Sequence, residues 1–139
     1  MTHKCGNLRC NKGSPLSPLL FLLIVEGLSR EVQEARGRGI FRGLQIALGL
    51  SLSHLLFVDD VLIFFSGSRR ETMALCDIIA LFSTPIGMEI NTRKSSISTH
   101  LLDDAEVEEL CQVFPFAIKS LDEGFKYLGF HLKATNYIK

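Results

Sequence analysis

The sequence predicts an α+β fold, a small and largely antiparallel sheet with helices packed on one face. Three observations predict it. Two apolar runs, 53–58 and 61–65, are rich in aromatic and β-branched residues and are broken only by Asp59-Asp60. Such runs around a two-residue break read as strands joined by a tight hairpin. Three other segments carry apolar residues at helical spacing, opened by cap residues and closed by proline or glycine. The order is then helix, strands, helix, strand, helix, strand, with helices and strands sharing one layered core.

Taken in order, residues 1–14 contain Gly6, Asn7, Asn11 and Gly13 and read as loop, with a short strand around Leu8. Ser14-Pro15 and Ser17-Pro18 each offer an N-cap followed by proline in a first turn, so a helix runs from there to about Ala35, where Gly37 and Gly39 stop it. Residues 19–25 are apolar on every face, which predicts burial. Beyond them only Leu28 and Val32 stay apolar, so the helix is expected to leave the core and end in solvent beside Arg36, Arg38 and Arg42. A short strand over 43–48 and a turn at Gly49 lead into the hairpin. Ser68 and Glu71 form a capping-box pattern, and Leu75, Ile78, Ile79 and Phe82 follow at helical spacing up to Pro85 and Gly87. Extended chain is expected over 88–90 and 95–99. Asp103 and Glu106 repeat the capping pattern ahead of Val107, Leu110, Cys111 and Phe114, and Pro115 closes that helix. Glu123-Gly124 is a turn, and residues 125–132 read as one last strand.

The chain of 139 residues is read as a single domain, with no internal repeat, linker or low-complexity segment. A hydrophobic content of 47% and a mean hydropathy of +0.25 exclude a disordered chain and suggest apolar surface meant for further polypeptide. Net charge is zero, but its distribution is uneven. Seven Lys/Arg stand against three acids up to Arg42, and seven acids against Lys119 alone between Asp103 and Glu123. The basic end is where phosphate contacts would fall. Cys5, Cys10, Cys76 and Cys111 are irregularly spaced, which argues against a disulfide framework. His3, Cys5 and Cys10 could give three zinc ligands, but no Cys or His pair follows to close a tetrahedral site. The longest apolar stretch has seven residues, against ~20 needed to span a bilayer. Lys4, Arg9 and Lys12 precede it in the manner of a signal peptide, yet Pro15, Pro18, Glu26 and Arg30 spoil that pattern. The expectation is a soluble intracellular protein, nuclear or cytoplasmic, without membrane contact.

Asp59-Asp60 is a poor turn pair on propensity, and it sets two like charges between apolar runs. Holding a carboxylate in a dry place costs several kcal/mol unless a cation compensates it. Two readings fit: an exposed hairpin tip, or ligands for a hard divalent cation such as Mg²⁺.

Four stretches together resemble the reverse transcriptases of non-LTR (LINE-type) retrotransposons, over roughly residues 7–133. Gly13-Ser14-Pro15-Leu16-Ser17-Pro18-Leu19-Leu20-Phe21 looks like the loop and helix of motif B. His54-Leu55-Leu56-Phe57-Val58-Asp59-Asp60 looks like motif C. Gly87-Met88-Glu89-Ile90-Asn91, continuing to Lys94-Ser95, looks like motif D, and Phe125-Lys126-Tyr127-Leu128-Gly129 like motif E, the primer grip. The resemblance implies a partial palm subdomain and RNA-templated DNA synthesis by two-metal nucleotidyl transfer with Mg²⁺ or Mn²⁺. It implies an RNA template, a DNA primer and dNTPs as partners. Asp59 would be the principal metal ligand and Asp60 a supporting one. Lys94 would lie by the triphosphate as a proton donor to pyrophosphate, with an ordinary exposed lysine as the plain alternative. Lys12, Gly13, Ser14 and Pro15 would face nucleotide and template, and Tyr127, Leu128 and Gly129 would position the primer.

The family commonly has glutamine or arginine where Lys12 stands, and aspartate or cysteine where Ser14 stands. Its first catalytic aspartate, in motif A, lies upstream of motif B, before the first residue here. The fingers and thumb are likewise expected to be missing polymerase segments. The expectation is therefore an isolated chain that binds Mg²⁺ weakly or not at all and extends no primer. The alternatives are a non-catalytic remnant acting as a binding surface, and a zinc-containing nucleic-acid module.

Overall fold

A computed structural model describes residues 2–7, 16–57, 60–86 and 90–133. The fold is α+β, as expected, and its centre is a five-stranded sheet. In chain order its strands are β1 (Thr2–Asn7), β4 (His54–Phe57), β5 (Asp60–Phe65), β6 (Ser96–Thr99) and β7 (Ala117–Ser120). In space they lie β4-β5-β1-β6-β7. All neighbours are antiparallel except β6 and β7, which run parallel. Two small hairpins, β2 (Leu44–Ala47) with β3 (Leu50–Leu52) and β8 (Phe125–Tyr127) with β9 (Phe130–Leu132), stand apart from that sheet. The helices are α1 (Ser17–Gly37), α2 (Arg69–Ile86) and α3 (Asp104–Val113).

β5 is buried along its length, and alternation divides its side chains between two cores. Val61, Ile63 and Phe65 join Leu28, Val32, Leu75, Ile78, Ile97 and Leu110 in the main core beneath the helices. Leu62 and Phe64 face the other way, against Tyr127, Phe125, Leu44 and Leu52. The helices thus keep to one face, and the two hairpins cover part of the other, which the sequence reading left bare. Phe41 and Phe65 stack with ring centroids 6.4 Å apart, closing the main core beyond the end of α1.

Helix α1 reverses the expectation made for it. Val25, Leu28 and Val32 lie on one face at spacings of three and four and are buried, Val32 completely. Leu19, Leu20, Leu22 and Leu23 are each more than half exposed, as is Leu16 ahead of the helix. A run that is apolar on every side carries no information about which end of a helix meets the core. Leu16 holds the N-cap position without a side-chain cap bond, one residue ahead of Ser17, and Ser14 lies outside the described residues. We expect this patch to bind a solvatochromic dye, and Leu19→Ser with Leu23→Ser to remove most of that signal while leaving the far-UV spectrum unchanged. Unaltered dye binding in the double variant would place the exposed surface elsewhere.

Local signals served better for the other helices. At α3 the capping box closes in full: the Glu106 amide donates to Asp103 Oδ1 at 2.8 Å and the Asp103 amide to Glu106 Oε2 at 3.0 Å. At α2 only half forms. The Glu71 amide reaches Ser68 Oγ at 3.4 Å, but the Glu71 carboxylate turns away from the cap. It is buried to 2% and accepts from the Arg42 amide at 2.6 Å and from the Ser66 amide. A side chain read as a local cap therefore ties together α2, the end of β5 and the segment entering β2.

The remaining differences are strands whose partners lie far along the chain. Residues 2–7 form the middle strand of the sheet where a loop was expected, and the strand expected around Leu8 falls on residues outside those described. β3 and β7 were not anticipated. The single last strand is a hairpin turning at Leu128-Gly129, both with positive φ, the mirror-image turn that suits strand twist.

Candidate functional site

Asp60 begins β5 and is half-buried. In backbone register it stands between Phe57 of β4 and Asn7 of β1. By alternation it shares a face with Leu62 and Phe64, the face that carries the two hairpins. Phe57 and Leu55, on the same face of edge strand β4, are exposed, so this corner of the sheet is open to solvent. Asp59, Lys12, Gly13, Ser14 and Pro15 lie outside the described residues.

Strand directions bring Lys94 to the same end of the sheet. β1 ends at Asn7 beside Asp60, and β6 starts at Ser96 beside Cys5. The residues just before β6 therefore lie toward the Asp60 end. Lys94 is exposed there, in a turn where its amide donates to the Asn91 carbonyl at 3.1 Å and Asn91 Oδ1 at 3.2 Å. Ser95 next to it is buried to 2%, and its Oγ has no hydrogen-bond partner among the described residues. Tyr127 is buried against Leu62 and Phe64, two and four residues along β5 from Asp60 and on the same face. Leu128 and Gly129 form the exposed turn that follows it. The fold thus gathers Asp60 and Lys94 at one sheet end and sets Tyr127 on the Asp60 face.

The donor chemistry suits a hard cation, because adjacent aspartates offer only oxygen ligands. Among the described residues no group of three His, Cys, Asp or Glu side chains is placed to hold a metal ion. Cys10 lies outside the described residues, and His3 and Cys5 sit on β1 two positions apart. The basic residues of α1 and its C-cap are engaged: Arg30 pairs with Glu26 at 3.1 Å, Arg36 donates to Ser51 Oγ, and the C-cap Arg38 pairs with Glu34. Among the described residues no helix is long and apolar enough to cross a membrane.

One polar group stands in the sequence only as the start of a motif, with no role of its own read from it. His54, the first residue of β4, has Ser29 Oγ of α1 at 2.8 Å from Nε2 and Ser53 Oγ at 2.9 Å from Nδ1. Both serines are buried. Burial holds the His54 pKa below its ordinary value, and the nearby Arg36 guanidinium adds to the effect. The only available signal was a histidine entering an otherwise apolar strand; the serines gave none.

Compared with known protein families, residues 2–132 match the family described as reverse transcriptase (RNA-dependent DNA polymerase).

Proposed function

Because the chain belongs to the reverse transcriptase family, we propose that it is palm polypeptide of a LINE-type enzyme whose activity is RNA-templated DNA synthesis. What supports the finer reading is the end of the sheet where Asp60 begins β5 and Lys94 precedes β6, with β1 between the two strands, and Tyr127 packed on the Asp60 face. Asp59 and Asp60 would hold Mg²⁺ or Mn²⁺, with Asp59 as the principal ligand. Bound there, the ions would supply activation of the primer 3′-hydroxyl and charge stabilisation at the leaving pyrophosphate. Lys94, exposed on its turn, would donate a proton to a pyrophosphate oxygen. Lys12, Gly13, Ser14 and Pro15 would line the approach of nucleotide and template, with Gly13 allowing close backbone contact. The Tyr127, Leu128 and Gly129 turn would back the primer, its backbone made rigid by the ring anchored on Leu62 and Phe64.

The reading is tested by primer extension on an RNA template with dNTPs and Mg²⁺. The 139 residues alone are expected to add nothing, since the family's upstream aspartate is not among them. Joined to an upstream segment carrying that aspartate, they are expected to extend the primer, and Asp59→Ala should then lower the rate at least ~10³-fold. A joined polypeptide that folds, binds primer and template, and still extends nothing would refute the proposal.

A further inference from the structure

Helix α1 and strand β4 share a polar contact beside Leu28, Val32 and Leu56 of the main core. Ser29 sits within the buried stripe of α1, directly after Leu28, and Ser53 is where β3 passes into β4. His54 lies between their hydroxyls, one bonded to each ring nitrogen. The Ser53 carbonyl also accepts from the Phe64 amide at 2.8 Å, so the same point is fastened to β5.

We propose that His54 is the positioning residue that seats α1 on the aspartate hairpin, a role no motif resemblance assigns to it. The reasoning is one of direction. Ser29 lies by His54, and Arg36, two turns later, lies by Ser51, so α1 and the chain entering β4 run in opposite senses. The N-terminal half of α1 therefore extends toward the Asp60 end of the sheet. On the polymerase reading the residues preceding α1 and those following β4 meet substrate, and His54 is a fixed point between the two elements that carry them. That purpose rests on the polymerase reading; the seat itself does not.

The chemistry also makes the seat sensitive to protonation. In a neutral imidazole one nitrogen donates and the other accepts, so one serine receives a bond and the other gives one. Adding a proton turns both nitrogens into donors, so the serine that had been giving must turn round to accept and its own buried O–H loses the ring as acceptor. Arg36 on α1 is the charged group that bears on the ring, and β5 sets apolar Ile63 opposite it. Neither welcomes a second positive charge. Unfolded chain takes up the proton near pH 6.5, whereas the folded ring resists it to lower pH. The contribution of the seat is thus complete above that pH and is lost as pH falls through the depressed folded value.

The test is amide hydrogen exchange on the full chain without nucleic acid, corrected for intrinsic rates, at pH 7.5 and pH 5.0. Ser29→Ala and His54→Gln are each expected to lower protection around residues 25–32 of α1 about tenfold at pH 7.5, with α3 unaffected. Wild type should lose a similar factor on acidification, while His54→Gln, which cannot take a proton, should not. If either variant fails to fold, Ser53→Ala reads the other bond in the same way. The proposal is overturned if Ser29→Ala stays within about twofold of wild type at pH 7.5. It is equally overturned if α3 loses protection with α1, or if wild type and His54→Gln share one pH profile. Because no nucleotide is present, failed primer extension leaves this result standing, and a failed seat leaves the polymerase reading standing.

Discussion

Replacing Glu71 by alanine is expected to cost about 3 kcal/mol of stability, read as a lowered urea midpoint with an unchanged slope. The carboxylate is almost wholly buried and accepts from two amides that lie far apart in sequence, those of Arg42 and Ser66. Removing it strands two donors facing a cavity, each costing roughly 1–3 kcal/mol when unsatisfied, less whatever water can recover. Glutamine is the informative control. Its amide oxygen can accept from only one of the donors, and its NH₂ group then faces the other, so Glu71→Gln should lose about half as much. For a domain whose whole stability is about 5–15 kcal/mol, the alanine variant is expected to be partly unfolded at physiological temperature. A loss under ~1 kcal/mol would mean that both amides find other partners.

A second large effect is expected at Gly43, and a neighbouring glycine calibrates it. Gly43 has φ +72°, and a Cβ built on it would meet the Leu52 carbonyl oxygen at 2.5 Å and the Ser53 Cα at 3.0 Å. Those are backbone atoms that no rotamer change can move aside. Gly49, in the turn of the same hairpin, has φ +77° but nothing within 4 Å of its would-be Cβ. Gly49→Ala should therefore pay only the left-handed conformation, about 1–2 kcal/mol. Gly43→Ala should pay that and the clash together, about 3–4 kcal/mol. The displaced hairpin would also drag Leu44 and Leu52 from Leu62, Phe64 and Tyr127. Equal midpoint shifts for the two variants would show that the clash relaxes at no cost.

What the sequence revealed of this fold follows from how far each signal reaches. The α3 cap was legible because Asp103 and Glu106 satisfy each other within one turn. The aspartate hairpin was legible because its strands, β4 and β5, are joined through so few residues. β1 was not, since its partners stand some sixty and ninety positions away and nothing between Thr2 and Asn7 announces them. Glu71 displayed a local pattern and put its carboxylate to a distant use. In α1 the seven consecutive apolar residues drew attention away from Leu28 and Val32, which meet the core together with only the last of the seven, Val25. The candidate site divides the same way. Asp60, Lys94 and Tyr127 came from motifs, while the shared sheet end of the first two and the shared face of Asp60 and Tyr127 required strand order, which short-range patterns do not encode. His54 and its two serines needed the packed helix before they could be found.

The place of β1 also bears on the order in which the molecule can form. It is made before every other described strand and is the middle strand of the sheet, paired with β5 on one side and β6 on the other. It cannot take up its second partner until Ser98 has been made. At about 5–20 residues per second, that interval is on the order of 5–20 s. Within it β1 can pair with β5 once Phe65 has been made, but it keeps an open edge where β6 belongs. Long-range pairing of this kind closes slowly, and an unpaired strand edge is an invitation to other chains while it waits. Nascent chains of this protein should therefore depend on holding chaperones more than a helical protein of equal size, for reasons of chain order rather than final stability.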